Sequence, residues 1–266
     1  MLEEIIHPQY DPAREHAWHL SSWLAPGRQA WCVHDKANGT VVALAGDSGD
    51  ALPLARQLPE RPASVSFTAM PEISTLVPQS SLVPGTELQH LKLVHGTVPT
   101  GLLRDEPIGT AGAQCIYLHD ETAERKLLDQ FPGARSLPLQ AILVNHALSH
   151  SAEGAVAVLH RTATRLDAVL ARGNQLLLSN TFFATTPEDV LYYALFCVKQ
   201  CSLQPATVQL RVGGTHLSDP EEHLLANYFE KGPVPSTAAG DPMLGGLRPT
   251  NAHHWTALIE QFACAS

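Results

Sequence analysis

The sequence predicts a mixed α/β (α+β) fold made of two similar halves. Three observations carry this. A strand–turn–strand–turn–strand unit occurs twice, over Trp18 to Gly46 and again over Ala155 to Thr181. A helix with clear start signals follows the second unit directly. Elsewhere strands and helices alternate in blocks, the pattern of mixed sheets covered by helices. Duplication of a whole unit constrains architecture more than any single segment does.

Taken in order, Met1 to Arg14 reads as an acidic lead-in without the apolar core of a signal peptide. Candidate strands follow at Trp18 to Leu24, Gln29 to His34 and Thr40 to Leu44, with turns at Pro26-Gly27 and Asn38-Gly39. Asp50 to Leu58 reads as a short helix and Ala63 to Thr68 as a strand, ended by a proline-containing stretch from Met70 to Gly85. Thr86 to Val94 reads as a helix, Gln114 to Leu118 as a buried strand, Thr122 to Phe131 and Leu137 to Ser149 as helices.

The second unit has strands at Ala155 to Leu159, Leu166 to Leu170 and Gln175 to Thr181. Gly173-Asn174 supplies the positive φ that a tight turn needs. Thr186 can cap the next helix, Pro187 takes its first position and Asp189 falls three after the cap. Apolar residues Val190, Leu191, Ala194, Leu195, Cys197 and Val198 then recur at helical spacing. Ala206 to Val212 reads as a strand broken by Gly213-Gly214, followed by a helix from Ser218 or Asp219 to about Phe229. Lys231 to Arg248, rich in Pro and Gly, reads as a loop, and Asn251 caps a last helix to Ala263.

Composition narrows the function classes. The 266 residues suffice for one large domain or two small ones, divided here as 1–150 and 151–266. A formal charge of −9 without a Lys/Arg cluster argues against a nucleic-acid partner. No apolar run approaches the roughly 18 residues of a membrane span. Five scattered cysteines without a C-x-x-C pair read as reduced thiols in a cytoplasm.

The stretch from Leu166 to Phe196 resembles a bacterial family, domain of unknown function 3822, found mostly in Bacteroidetes. The matching positions are Leu166, Asp167, Gly173, Asn180, Thr181, Phe182, Thr186, Pro187, Glu188, Asp189, Tyr192 and Tyr193. Leu76 to Pro78 and Phe131 to Arg135 add support. The resemblance implies an actin-like ATPase fold, with two ribonuclease-H-like halves that each open on a three-stranded antiparallel meander. It supplies a fold and no reaction.

Working ATPases of that fold carry an Asp-x-Gly at the first hairpin of each half, where backbone N–H groups cradle phosphates and the acid holds Mg²⁺. The stretch Leu20 to Gly27 has a glycine but no acid, and Leu159 to Thr164 has neither. Phosphoryl transfer depends on positioning and charge neutralisation, so both losses argue against hydrolysis. Val212-Gly213-Gly214-Thr215 is the one nucleotide-binding candidate, as a turn allowing close backbone approach to a flat ligand. A plain strand-to-helix turn explains it better.

Other constellations are weaker. His146 and His150 lie four apart on a helix but lack the Glu of a zincin, and read as a surface face. Cys197 and Cys201 read as small buried hydrophobes. Asn180 and Asp189 read as a strand-end bond and a helix cap. Phe182, Phe183, Tyr192 and Tyr193 are core packing, or else an exposed aromatic patch for a partner. The expectation is a non-catalytic actin-like protein with no cofactor, binding an unknown protein or another copy of itself. The alternative is an ATPase or kinase-like enzyme using non-standard residues.

Overall fold

The computed structural model describes residues 3–47 and 58–265. The chain opens with β1 (Glu3–Ile6) in the segment read as a lead-in, then forms the first meander, β2 (Trp18–Ala25), β3 (Arg28–Asp35) and β4 (Val41–Asp47). The helix expected over Asp50 to Leu58 lies outside the described residues, apart from Leu58. The fifth strand of the half, β5 (Ser64–Ala69), runs parallel to β2.

An inserted sheet comes next: β6 (Glu72–Pro78), α1 (Glu87–His95), β7 (Leu102–Ile108) and β8 (Ala113–His119), in the order β6-β8-β7, all antiparallel. The sequence reading found only its central strand. Pro78 and Pro107 look like strand breakers, but both lie on edge strands, where a missing N–H leaves no ladder bond unmade. The half closes with α2 (Glu121–Gln130), the two-residue strand β9 (Arg135–Ser136) and α3 (Leu139–Ser149).

The second half repeats the plan. Its meander is β10 (Ala155–Thr162), β11 (Arg165–Arg172) and β12 (Gln175–Phe183), turned between the last two by Gly173 at φ 57° and Asn174 at φ 61°. Helix α4 (Pro187–Gln200) starts on a complete capping box: Thr186 accepts from the Asp189 N–H, and the Asp189 carboxylate accepts from the Thr186 N–H. Then come β13 (Gln209–Gly213), α5 (Asp219–Ala226), β14 (Lys231–Pro235) and α6 (Thr256–Ala265), the last preceded by a 3-10 turn at Ala252–Trp255. The stretch read as a loop from Lys231 contains β14 because it too is an edge strand and tolerates Pro233 and Pro235.

The first sheet has the order β1-β4-β3-β2-β5-β9 and the second β12-β11-β10-β13-β14. With the extra edge strand β1 set aside, the two orders are the same, and so are the senses. Each has an antiparallel meander followed by two strands parallel to its first.

The last helix of each half fills the space between the sheets. Helix α3 lies against β10, β11 and β12, while α6 lies against β2, β3 and β5, and the two helices pack on each other. Each half thus lends its last helix to the other half's sheet. Strand β10 shows why these sheets read as apolar runs. Val156 and Val158 enter the central core, while Ala155, Ala157 and Leu159 enter a second core beneath α4 and α5. On the far side of the first sheet, Trp18, Leu20, Trp31 and Phe67 pack with Leu127 and Phe131 of the α2 region.

The reading of His146 and His150 as a surface face holds for His150 and is corrected for His146. His146 is buried and meets Glu260 of α6 at 3.2 Å, while His150 is exposed, its ring 4.5 Å away and tilted by 51°. A helix enclosed between two sheets has no polar stripe to betray its inner face. No helix among the described residues is long and apolar enough to cross a membrane.

Candidate functional site between the halves

The duplicated plan brings the β2–β3 and β10–β11 hairpins and the turn after β13 to a common cleft. Side chains fill this cleft. Trp23 of β2 and His160 of β10 meet across it, ring centres 6.2 Å apart, and Trp255, Ala257 and Leu258 from the chain's last segment close one wall. The remaining cavity, bounded also by Arg28, Thr215 and His254, measures about 10 Å³. That holds at most about one water, whereas small-molecule sites measure roughly 300 Å³ or more. A larger, open groove of about 760 Å³ lies at the opposite end of β10, lined by Glu153, Glu230 and Lys231 among others. It does not adjoin the hairpins.

His160 is buried, and neither ring nitrogen has a hydrogen-bond partner among the described residues. Burial drives its pKa down to about 4, although the Asp167 charge opposes the shift. It therefore stands in the cleft as a neutral, nearly apolar ring.

The β10–β11 hairpin, where an ATPase would cradle phosphate, is occupied by the chain's own cation. The Arg161 guanidinium donates to the Ala163 carbonyl at the turn and to the Arg165 carbonyl at 3.4 Å, and pairs with Glu221 at 3.0 Å. Both partners are buried. Glu221 in turn closes the N-terminal box of α5, accepting from the Ser218 N–H and hydroxyl at 2.7 and 2.8 Å. The opposite hairpin carries Ser21 and Ser22 on its first strand, both buried, with no acid.

Gly213, Gly214 and Thr215 lie at the end of β13, facing this cleft. Gly214, at φ +101°, passes so close to Arg161 that a Cβ would sit 2.3 Å from its carbonyl oxygen, and its N–H donates to the His253 carbonyl at 3.1 Å. A Cβ on Gly213 would meet the same His253 carbonyl at 3.1 Å. Close approach requires glycine at 214 and leaves little room at 213, and in both cases the group approached is the chain's own backbone. Thr215 lines the residual cavity.

The other motif residues divide into two groups. Asp167 is buried, accepts a two-pronged bond from Arg165 at 2.7 to 3.0 Å, and accepts from the Thr181 hydroxyl at 2.6 Å. The same Arg165 donates to the Glu72 carbonyl and lies 3.8 Å from the Glu72 carboxylate, tying the inserted sheet to the second half. Burial raises Glu72 to a pKa of about 7, against the opposing Arg165 charge. No local pattern announces this cluster, because Glu72 and Asp167 are about a hundred residues apart. No three His, Cys, Asp or Glu residues converge as metal ligands among the described residues.

The second group surrounds α4. Pro187 and Asp189 set the helix start, and the exposed Asn180 accepts from the Thr181 N–H at 2.9 Å. Phe182 and Tyr193 stack at 4.3 Å with an interplanar angle of 15°, half-buried. Tyr192 and Phe183 are exposed, and Tyr192 stacks on Phe196 at 6.2 Å. The aromatic cluster is therefore part core and part open surface.

No curated protein sequence matches the chain. Solved structures do, two of them with TM-scores above 0.5. One, from Bacteroides thetaiotaomicron, is a protein with an actin-like ATPase fold and unknown function. It is 17% identical over 84% of this chain and 93% of its own, with a TM-score of 0.73. The other belongs to a PilM–PilN type IV pilus biogenesis complex, 12% identical over 92% of this chain and 97% of its own, with a TM-score of 0.53. At these identities the likeness establishes the fold, which is the actin-like ATPase fold. The model of one family, a protein of unknown function (DUF3822), matches residues 64–231, well over half the sequence. The chain belongs to that family.

Proposed function

We propose that this protein is a non-catalytic member of the actin-like fold that works by binding another protein chain. The observation that carries the reading is the filled cleft: Trp23 packs on His160 where a nucleotide would lie, leaving about 10 Å³. Arg161 supports it by satisfying the second hairpin from within, and Gly213-Gly214 by closing on the chain's own backbone. The exposed aromatic surface around Tyr192 and Phe196 offers contact area of the kind interfaces use. The PilM–PilN complex provides a precedent for partner binding among proteins of this fold. Five free cysteines suit a reducing compartment such as the cytoplasm.

Thermal unfolding with millimolar Mg-ATP, Mg-ADP or Mg-GTP tests this reading. A ligand at a hundred times its Kd stabilises by about 2.7 kcal/mol, a readily measured shift. The expected result is no shift with any nucleotide. A shift of several degrees with Mg-ATP would replace this reading with that of an ATPase or kinase-like enzyme using non-standard residues.

A further inference from the structure

We propose that a second copy of this chain docks on the face formed by β12 and α4, about a two-fold axis that sets the two α4 helices antiparallel. The proposal deepens the binding-module reading and rests on it.

The exposed stripe of α4 consists of Glu188, Tyr192, Phe196 and Lys199. These positions fall four, four and three residues apart, along one helix face. The acid lies in the first turn, the aromatic pair in the middle and the lysine in the last turn. Neither Glu188 nor Lys199 forms an ion pair within the chain among the described residues. Read backwards with its charges exchanged, the stripe is nearly unchanged. An antiparallel copy therefore sets Glu188 opposite Lys199 at both ends and the aromatics opposite each other in the middle. A parallel copy would oppose like charges. A two-fold interface requires this self-complementarity.

The aromatic surface continues onto β12, where Phe182 meets Phe196 edge-on at 6.5 Å. Strand β12 is an outer strand of its sheet, nine residues long, with no strand on its far side among the described residues. Its counterpart in the first half, β4, is covered by the antiparallel strand β1. The duplicated plan thus accepts an added strand at this edge, and only the second half leaves it open. Size requires both elements. Tyr192 and Phe196 together expose on the order of 200 Å² per copy, taking about 200 Å² for a whole aromatic side chain. A specific interface needs roughly 1,000 Å² in total, so the β12 edge must join the helix.

Sedimentation equilibrium of the full chain, across micromolar to high-micromolar concentrations, tests the proposal. The wild type is expected to dimerise, and Tyr192→Asp to weaken dimerisation at least about tenfold with an unchanged circular dichroism spectrum. Glu188→Lys and Lys199→Glu are each expected to weaken it about tenfold, since each places like charges together twice. The double variant is expected to recover the wild-type constant to within about threefold. A strictly monomeric wild type, or a dimer indifferent to Tyr192→Asp and to both charge reversals, would overturn the proposal. A monomer that also ignores nucleotides sinks the self-docking and leaves the binding-module reading intact, which separates the two failures.

Discussion

Trp23 and His160 stand ring to ring across the cleft between the two halves, 6.2 Å apart, one from the first strand of each meander. Position and duplication thus combine at a single contact. Equivalent strands supply the two rings, and the rings occupy the place their hairpins enclose.

The Trp23 ring fills that space, so Trp23→Ala should cost about 3–5 kcal/mol, the usual range for a large aromatic removed from a packed core. Urea unfolding at neutral pH measures it. His160→Phe should cost less than about 1.5 kcal/mol, because the imidazole makes no hydrogen bond to lose and the volume is nearly kept.

Acid should unfold the protein. His19, His34 and His160 are buried and neutral, pushed by desolvation from 6.5 down to about 3, 4 and 4. The unfolded chain binds their protons below pH 6.5 and the folded one does not, so stability falls as pH drops from 6.5 toward 4. Glu72, raised by burial from 4.5 to about 7, acts in the opposite sense. Its contribution is complete below pH 4.5 and disappears as pH rises through 7. Three groups against one leave a net loss of about 3 kcal/mol per pH unit below 6, at about 1.4 kcal/mol per group. Denaturant midpoints at pH 7, 6 and 5 should fall steeply, and His160→Phe should flatten the slope.

Removing Arg161 should be severe. Arg161→Met leaves Glu221 buried without its cation, which costs about 3–5 kcal/mol. Adding Glu221→Gln should recover a good part, because the amide keeps an acceptor for the Ser218 box without the charge. Chemical denaturation of the single and double variants gives the comparison. Equal stability of Arg161→Met and wild type would show that the hairpin does not need its internal cation.

The aromatic cluster should divide by burial. Tyr193→Ala should destabilise by about 2–4 kcal/mol, since it removes a ring stacked at 4.3 Å on Phe182. Tyr192→Ala, on the exposed side, should stay within about 0.5 kcal/mol in dilute solution. Thermal melts of both variants at low concentration provide the check.

The two meanders were legible because their local signals agree. Gly27, Gly173 and Asn174 sit at positive φ between apolar runs, and Thr186-Pro187-Asp189 starts α4 in the way its residues announce. The edge strands β1, β7 and β14 were not legible, since short length and proline conceal strands that need only one partner. The cleft was legible only as a loss. The missing acids at Leu20 to Gly27 and Leu159 to Thr164 could be read directly, but nothing local says that Trp23 and Arg161 would stand at these hairpins. Those contacts join residues some 60 to 140 positions apart in the chain. Asp167 matched the family motif, and Glu72, which shares Arg165 with it, became visible only once the inserted sheet was placed.

The crossing of α3 and α6 has a consequence for how the molecule is made. The sheet synthesised first stays bare on its inner side until α6 arrives to cover it, and Gln261 must then reach back to the Ser22 carbonyl and the Thr68 hydroxyl. A nascent chain whose α6 has not yet emerged therefore carries an unsealed sheet, and that interval is when a chaperone has most to protect.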